Sequence, residues 1–259
     1  MKANTPVKPS ADNRRDRTVK PMVVIVGADK GGVGKTTVTR TLLDYLDTHD
    51  IPARAFDAEY PRGTLKRFYP DITEVVDVTT VTAQMKMLDT LATTNVRVSL
   101  IDIRAGLLST TLKAFTEVGF FDMVEAGDFN FTLFHVVGPS VASLDEIGEV
   151  VPVSGGRNYF LVKNFINDTS FFEWDPATYK NYFKAVKDGG EVTIPKLNEM
   201  AYEQVELAAT PFSTFVGNRT VHGQSADFSL VLRGYVRNWL SLVNKEYDRI
   251  GLLERVIGR

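Results

Sequence analysis

Apolar positions along the chain follow two alternating rhythms. Short runs rich in β-branched residues, at 22–26, 53–56, 96–103, 131–137, 159–162 and 191–194, read as strands covered on both faces. Between them lie stretches with helical spacing. After the first run, Val38, Thr41, Leu42, Tyr45 and Leu46 fall at i, i+3, i+4, i+7 and i+8, and Pro52 stops that helix because the residue before a proline avoids helical geometry. Further helices are expected around 80–92, 107–118, 140–148, 176–187 and 197–208. A last long helix carries Phe228, Val231, Leu232, Tyr235, Val236, Trp239, Leu240 and Val243 on one face. Strand and helix in alternation predict an α/β fold, a mostly parallel twisted sheet with helices on both faces. No internal repeat and no linker divides the chain after residue 21.

The first strand ends in Gly27-Ala28-Asp29-Lys30-Gly31-Gly32-Val33-Gly34-Lys35-Thr36-Thr37, and a helix follows. Glycines there let successive backbone N–H groups turn toward one anion, and the helix start adds its dipole and its unpaired amides. Lys35 supplies a point charge for β- and γ-phosphates, and the Thr36 hydroxyl is placed to ligate Mg²⁺. A strand–glycine loop–helix with this lysine is the phosphate loop of the P-loop NTPase fold.

Where the strict phosphate-loop pattern has its first glycine, this chain has Asp29, and a second lysine, Lys30, follows. Lys30-Gly31-Gly32-Val33-Gly34-Lys35-Thr36-Thr37 resembles the deviant Walker A motif of the ParA/MinD ATPases. That resemblance implies ATP and Mg²⁺ as ligands, and a homodimer that forms on ATP binding with the nucleotide sandwiched between two copies. Lys30 would reach the partner's phosphates, a cation in trans to charge that develops as the γ-phosphate leaves. It also implies roles for Asp57 and Glu59, where the family has Asp-x-Asp after its second strand: Asp57 toward the metal and Glu59 toward the attacking water. Glutamate is one methylene longer than the family's aspartate, which implies slow hydrolysis; the alternative for Glu59 is a solvated loop carboxylate. Asp102, at the end of an apolar strand, matches the Walker B acid, with Gly106 in the switch II position. The family's proline after that acid is replaced by Ile103-Arg104-Ala105, and Arg104 reads either as a phosphate contact or as half of a surface ion pair. Asn164, closing the 159–162 run, and Pro195, after Ile194, resemble the family's adenine-contacting positions, with a helix and a short apolar return (210–216) following.

Charge adds an asymmetry. Residues 1–20 hold six lysines and arginines against two aspartates, a net +4, so the remainder of a chain whose total is −2 carries −6. Short of large apolar side chains, that segment is expected to be a mobile basic arm, either touching a polyanion or merely solvated, with residues 21–259 forming one ATPase domain. The absence of cysteine excludes disulfides, thiolate nucleophiles and cysteine-ligated iron–sulfur or zinc centres, and with them the iron–sulfur relatives of the family. No apolar stretch suggests a membrane span or a signal peptide, so a cytoplasmic location is expected. What remains is a partition or positioning ATPase reset by an activating partner protein, with nonspecific DNA contact through the arm or a local surface. Two other readings stay open. One is a MinD-like protein whose C-terminal residues 249–259 touch a membrane, against a segment that packs on its own domain. The other is a nucleotide-dependent scaffold in plasmid transfer with negligible hydrolysis. Phe171, Phe172, Trp174, Tyr179, Tyr182 and Phe183 form an aromatic cluster read as loop packing, with a partner site as the alternative.

Overall fold

Six consecutive buried residues, Met22–Gly27, form the central strand β1, and their alternation sends successive side chains to opposite faces of a sheet. Met22, Val24 and Val26 enter one apolar core, while Val23 and Ile25 enter the other. The computed structural model describes residues 20–92, 96–155, 158–173, 176–184, 186 and 188–258. The other strands are β2 (Ala53–Asp57), β3 (Thr73–Val75), β4 (Val98–Asp102), β5 (Asn130–Val137), β6 (Tyr159–Asn164) and β7 (Gly189–Ile194). They pair in parallel throughout, in the order β3-β2-β4-β1-β5-β6-β7. The expected α/β P-loop fold is therefore the fold found.

Helices cover both faces. On the side of Val24 lie α1 (Lys35–Thr48), α7 (Glu199–Ala208), α8 (Phe212–Val216), α9 (Leu230–Arg249) and α10 (Leu252–Ile257). On the side of Ile25 lie α2 (Val81–Ala92), α3 (Leu108–Glu117), α4 (Phe120–Ala126) and α5 (Val141–Val153). A further helix, α6 (Pro176–Phe183), follows β6. From β1 the chain first builds toward β2, β4 and β3, then crosses to β5, β6 and β7. The carboxyl end of β1 is thus the point where strand order reverses, and crevices in open α/β sheets open there.

Several expectations shift. The long C-terminal helix starts at Leu230, with Ser229 as its cap, so Phe228 precedes it. Its inward face is Leu232, Val236, Trp239, Val243 and Tyr247; Val231 and Tyr235, placed on that face from sequence, are 66% and 50% exposed. One residue is 100° of helix turn, which is enough to move a position from core to rim. The apolar return at 210–216 is mainly a helix, α8. β3, α4 and α10 were not foreseen, being three, seven and six residues long. The basic arm, 1–19 in particular, lies outside the described residues, as does Trp174. Phe171 and Phe172 pack in edge contact, with Phe172 also against Phe165, as loop packing requires. In the C-terminal segment Leu252 and Val256 are buried in the domain's own core, and Arg255 donates to Asn158 and to the Ile250 carbonyl. Leu252 and Val256 are thus spent on the chain itself, in line with the alternative of a segment that packs on its own domain.

Candidate phosphate-binding site

The loop between β1 and α1 is wound by its glycines. Gly34 sits at the helix start with φ 85°, and a Cβ there would lie 2.2 Å from Asn164 Nδ2. No side chain caps α1, so the amides of its first turn keep no acceptor from the protein. Lys35 is the first residue of that helix and 9% exposed. Its Nζ donates to the Lys30 carbonyl at 3.1 Å, which curls the loop around the ammonium. Burial lowers its pKa, offset in part by the fields of Asp102, Glu146, Asp29 and Glu59. None of the ion pairs within 4 Å among the described residues includes Lys35. A desolvated ammonium beside uncapped helix amides is built to receive an anion. Lys30 and Gly31 are exposed on the outer side of the loop.

Two carboxylates stand side by side at the neighbouring strand ends, since Asp57 of β2 is in register with Asp102 of β4. Both are buried, at 1% and 4% exposure. Asp57 accepts from the Glu59 amide (2.9 Å) through Oδ1 and from the Leu65 and Lys66 amides (2.7 and 3.2 Å) through Oδ2. It thereby caps the single 3-10 turn Leu65–Arg67 from outside. Asp102 is different: its Oδ1 is buried without a hydrogen-bond partner. Burial raises its pKa to about 7, with Thr36 and Thr39 hydroxyls and Lys35 working against the rise. A buried orphan oxygen beside the Thr36 hydroxyl suits a hard divalent cation such as Mg²⁺. Among the described residues no three or more His, Asp or Glu converge as a metal cage. A magnesium here would take most of its shell from phosphate and water, its usual habit. Glu59 lies in the loop after β2, its carboxylate accepting from the Thr64 hydroxyl of the same loop.

These groups line one cavity of about 630 Å³, which also takes in Gly32, Gly34, Thr37, Asn164 and Pro195. The size falls in the range of small-molecule sites. At the far end it is apolar, walled by Pro195, Leu197, Trp239 and Phe165. Asn164 is 4% exposed and spends its Nδ2 on the Val33 carbonyl (2.8 Å), so it holds the phosphate loop and leaves Oδ1 as the atom to meet a base donor. The Pro195 carbonyl accepts from Trp239 Nε1 at 2.6 Å. Arg104 also lines the cavity, and none of the ion pairs among the described residues includes it.

Sequence reasoning missed four supports of the site. Asp29, treated as a variable position, ties the loop to α3: its carboxylate accepts from the Leu108 amide (2.8 Å) and the Ser109 hydroxyl (2.5 Å). Its own amide donates to Glu146 Oε2 at 3.0 Å. That same oxygen lies 3.4 Å from His135 Nε2, and His135 Nδ1 is 2.6 Å from the Tyr159 hydroxyl. Tyr202 of α7 closes on Thr37, hydroxyl to hydroxyl, at 3.3 Å. Trp239 was read as core and serves as cavity wall as well. The partners of Asp29 and Thr37 are 117 and 165 residues away, and no local pattern announces them.

No family model matches the chain, and no curated protein matches it. Solved structures similar to it include a nucleotide-binding protein in complex with ADP from Archaeoglobus fulgidus, at 14% identity and TM-score 0.49, over 72% of this chain and 86% of that one. MinD in the MinC:MinD cell division complex of Aquifex aeolicus is similar at 16% identity and TM-score 0.43, over 85% and 96%. A ParA family ATPase from Chlorobium tepidum is similar at 14% identity and TM-score 0.45, over 86% and 99%. Likeness at that level carries no functional argument, and the functional reading rests on the residues of the cavity.

Proposed function

We propose that the protein is an ATP-dependent switch of the ParA/MinD kind, binding Mg-ATP at the β1–α1 loop and hydrolysing it slowly. The observation that carries this reading is Lys35, buried on a helix start whose amides have no cap, facing an unpartnered Asp102 oxygen across the same cavity. In the bound state Lys35 and the amides of 32–37 hold the β- and γ-phosphates, and Thr36 with Asp102 orients the metal, with Asp57 behind it. The metal would supply charge neutralisation at the phosphates. The apolar end between Pro195 and Trp239 takes the base, with Asn164 at its edge. Lys30, exposed at the loop's outer side, is free to serve a second copy, which makes a nucleotide-sandwich homodimer the expected ATP state. The cargo on this reading is DNA or another positioned assembly, engaged through a partner protein that stimulates turnover. Nonspecific DNA contact must be local, because the body of the chain is acidic.

A second reading, a nucleotide-dependent scaffold with negligible turnover, draws support from Glu59. Its carboxylate is engaged by Thr64 rather than held toward the cavity alone. The two readings part on phosphate release from the ATP-bound dimer. The test of the first is calorimetry with Mg-ATP together with light scattering in ATP, ADP and no nucleotide. Wild type is expected to bind and to dimerise only with ATP; Lys35→Ala loses binding at least about a hundredfold, and Lys30→Ala binds yet stays monomeric. Absence of heat in the wild-type titration, or a size independent of nucleotide, overturns it.

A further inference from the structure

Arg104 is left without a role by that reading, and its placement gives it one. It is the second residue beyond Asp102 and lines the same cavity as Asp57 and Glu59, and its charge is also felt by Asp77 in the loop after β3. Its platform is fixed from several sides. The Ile103 amide donates to the Val26 carbonyl at 2.9 Å, and the Leu107 amide closes a turn onto the Arg104 carbonyl at 3.2 Å. Gly106, at φ 78°, donates to the Asp29 carbonyl at 2.9 Å, and the Asp29 carboxylate fastens the start of α3 just beyond. The turn runs against the phosphate loop itself: a Cβ placed on Gly31 would be 3.7 Å from Ala105 Cβ. An exposed arginine is thus mounted on a turn hydrogen-bonded to β1 and to the loop that would hold the phosphates.

Charge gives the mounting its sense. The phosphate end of the cavity carries the carboxylates of Asp57, Glu59 and Asp102, and its lining cations are Lys35 and Arg104. In the reading above, Lys35 and the metal serve the β- and γ-phosphates together. A γ-phosphate still adds negative charge beside three carboxylates, and a second side-chain cation there favours a triphosphate over a diphosphate. Arginine's planar fork matches two phosphate oxygens at once, and a surface guanidinium gives up less hydration than an ammonium would.

We propose that Arg104 reads the terminal phosphate in cis, donating to the γ-phosphate and so setting the preference for nucleoside triphosphate over diphosphate. This rests on the phosphate-loop reading above, and the experiment separates the two. Mg-ATPγS and Mg-ADP are titrated calorimetrically into wild type, Arg104→Ala and Arg104→Lys, each also in the Lys30→Ala background so that a lysine from a second copy does not contribute. In both backgrounds Arg104→Ala is expected to weaken ATPγS about tenfold or more and to leave ADP within about twofold, with Arg104→Lys between. Thermal melts of the variants are expected to match wild type, since the side chain is exposed. If ADP binds wild type but Arg104→Ala leaves ATPγS unchanged, or weakens both nucleotides equally, Arg104 has no such role while the phosphate loop keeps its own. An effect confined to the background with Lys30 intact overturns action in cis. Failure of wild type to bind either nucleotide removes the phosphate-loop reading and this inference with it.

Discussion

The loops that follow β2 and β4 leave adjacent strands at the same level, and each begins with a buried aspartate. They are built in opposite ways. After β2 the carboxylate of Asp57 is saturated by the amides of Glu59, Leu65 and Lys66, and the loop closes around it. After β4 the carboxylate of Asp102 keeps an oxygen with no partner, and the loop is held from outside, by Asp29 of the phosphate loop. A saturated carboxylate makes structure; one with a buried vacant lone pair is costly until a cation arrives. The second loop, tied to the phosphate loop by Asp29, is the one that a ligand in that loop can move.

The sharpest break of this comparison is a pair of substitutions. Asp57→Ala leaves three amides without their acceptor, that of Leu65 buried and those of Glu59 and Lys66 partly so, and is expected to cost about 3 kcal/mol in urea unfolding. Asp102→Asn replaces a buried carboxylate that the protein supports through Thr36, Thr39 and Lys35 but leaves with one unpartnered oxygen. It is expected to leave stability equal to or slightly above wild type, while Mg²⁺-dependent nucleotide affinity is lost. Equal destabilisation by both would show that the two carboxylates are the same kind of structural anchor.

Asp44 in α1 stands between these extremes, and pH reads it. It is 3% exposed and accepts from the hydroxyl (2.6 Å) and amide (3.3 Å) of Ser213, with Arg40 and Tyr69 nearby. Burial raises its pKa from 3.8 to about 6, with the Ser213 bonds working against the rise. The folded chain therefore holds a proton that the unfolded chain has already released between those two values. Stability falls as pH climbs from about 4 to about 6 and is flat above, by at most about 3 kcal/mol. Asp44→Asn removes that decline, so the variant gains on wild type as pH rises from 4 to 7 in parallel denaturant titrations. A pH-independent gap between the two would mean that the bonds from Ser213 and the field of Arg40 fully offset the burial of Asp44.

What could be read in advance follows the range of the interaction. The phosphate loop and strands β1, β2 and β4–β7 are written in short contiguous patterns, glycine spacing and apolar runs, and were legible. β3 is three residues long and exists because Ala55, Phe56 and Asp57 offer it an edge; nothing in Thr73-Glu74-Val75 alone demands a strand. The phase of α9 was misjudged because Val231 and Tyr235 are as apolar as their inward neighbours, and only the packing of Phe212 on Trp239 and of Tyr45 on Tyr247 settles which stripe is buried. Asn164, a candidate from sequence, lines the cavity, but nothing local announces its bond to Val33, which joins β6 to a loop 131 residues away. Asp29 was passed over for the same reason.

Asp29 also supplies the mildest test, because its side chain ties the phosphate loop to the loop after β4. α3 has no side-chain cap of its own, its N-cap position being Leu107, and Asp29 fills that office from 79 residues away. Asp29→Ala should therefore cost about 1 kcal/mol, the usual loss when a capping acceptor is removed. Asp29→Asn, which keeps an acceptor oxygen, should cost less. The location of the effect says more than its size. Amide exchange is expected to speed up at Leu108 and Ser109, whose N–H groups depend on the Asp29 carboxylate, and to stay unchanged at Leu65 and Lys66, which depend on Asp57. With saturating Mg-ATP the difference at 108–109 should shrink, because a γ-phosphate held by Arg104 would fasten the same turn from its other side. Faster exchange in both loops would mean that they open together, and the contrast between the self-closed loop and the tethered one would dissolve.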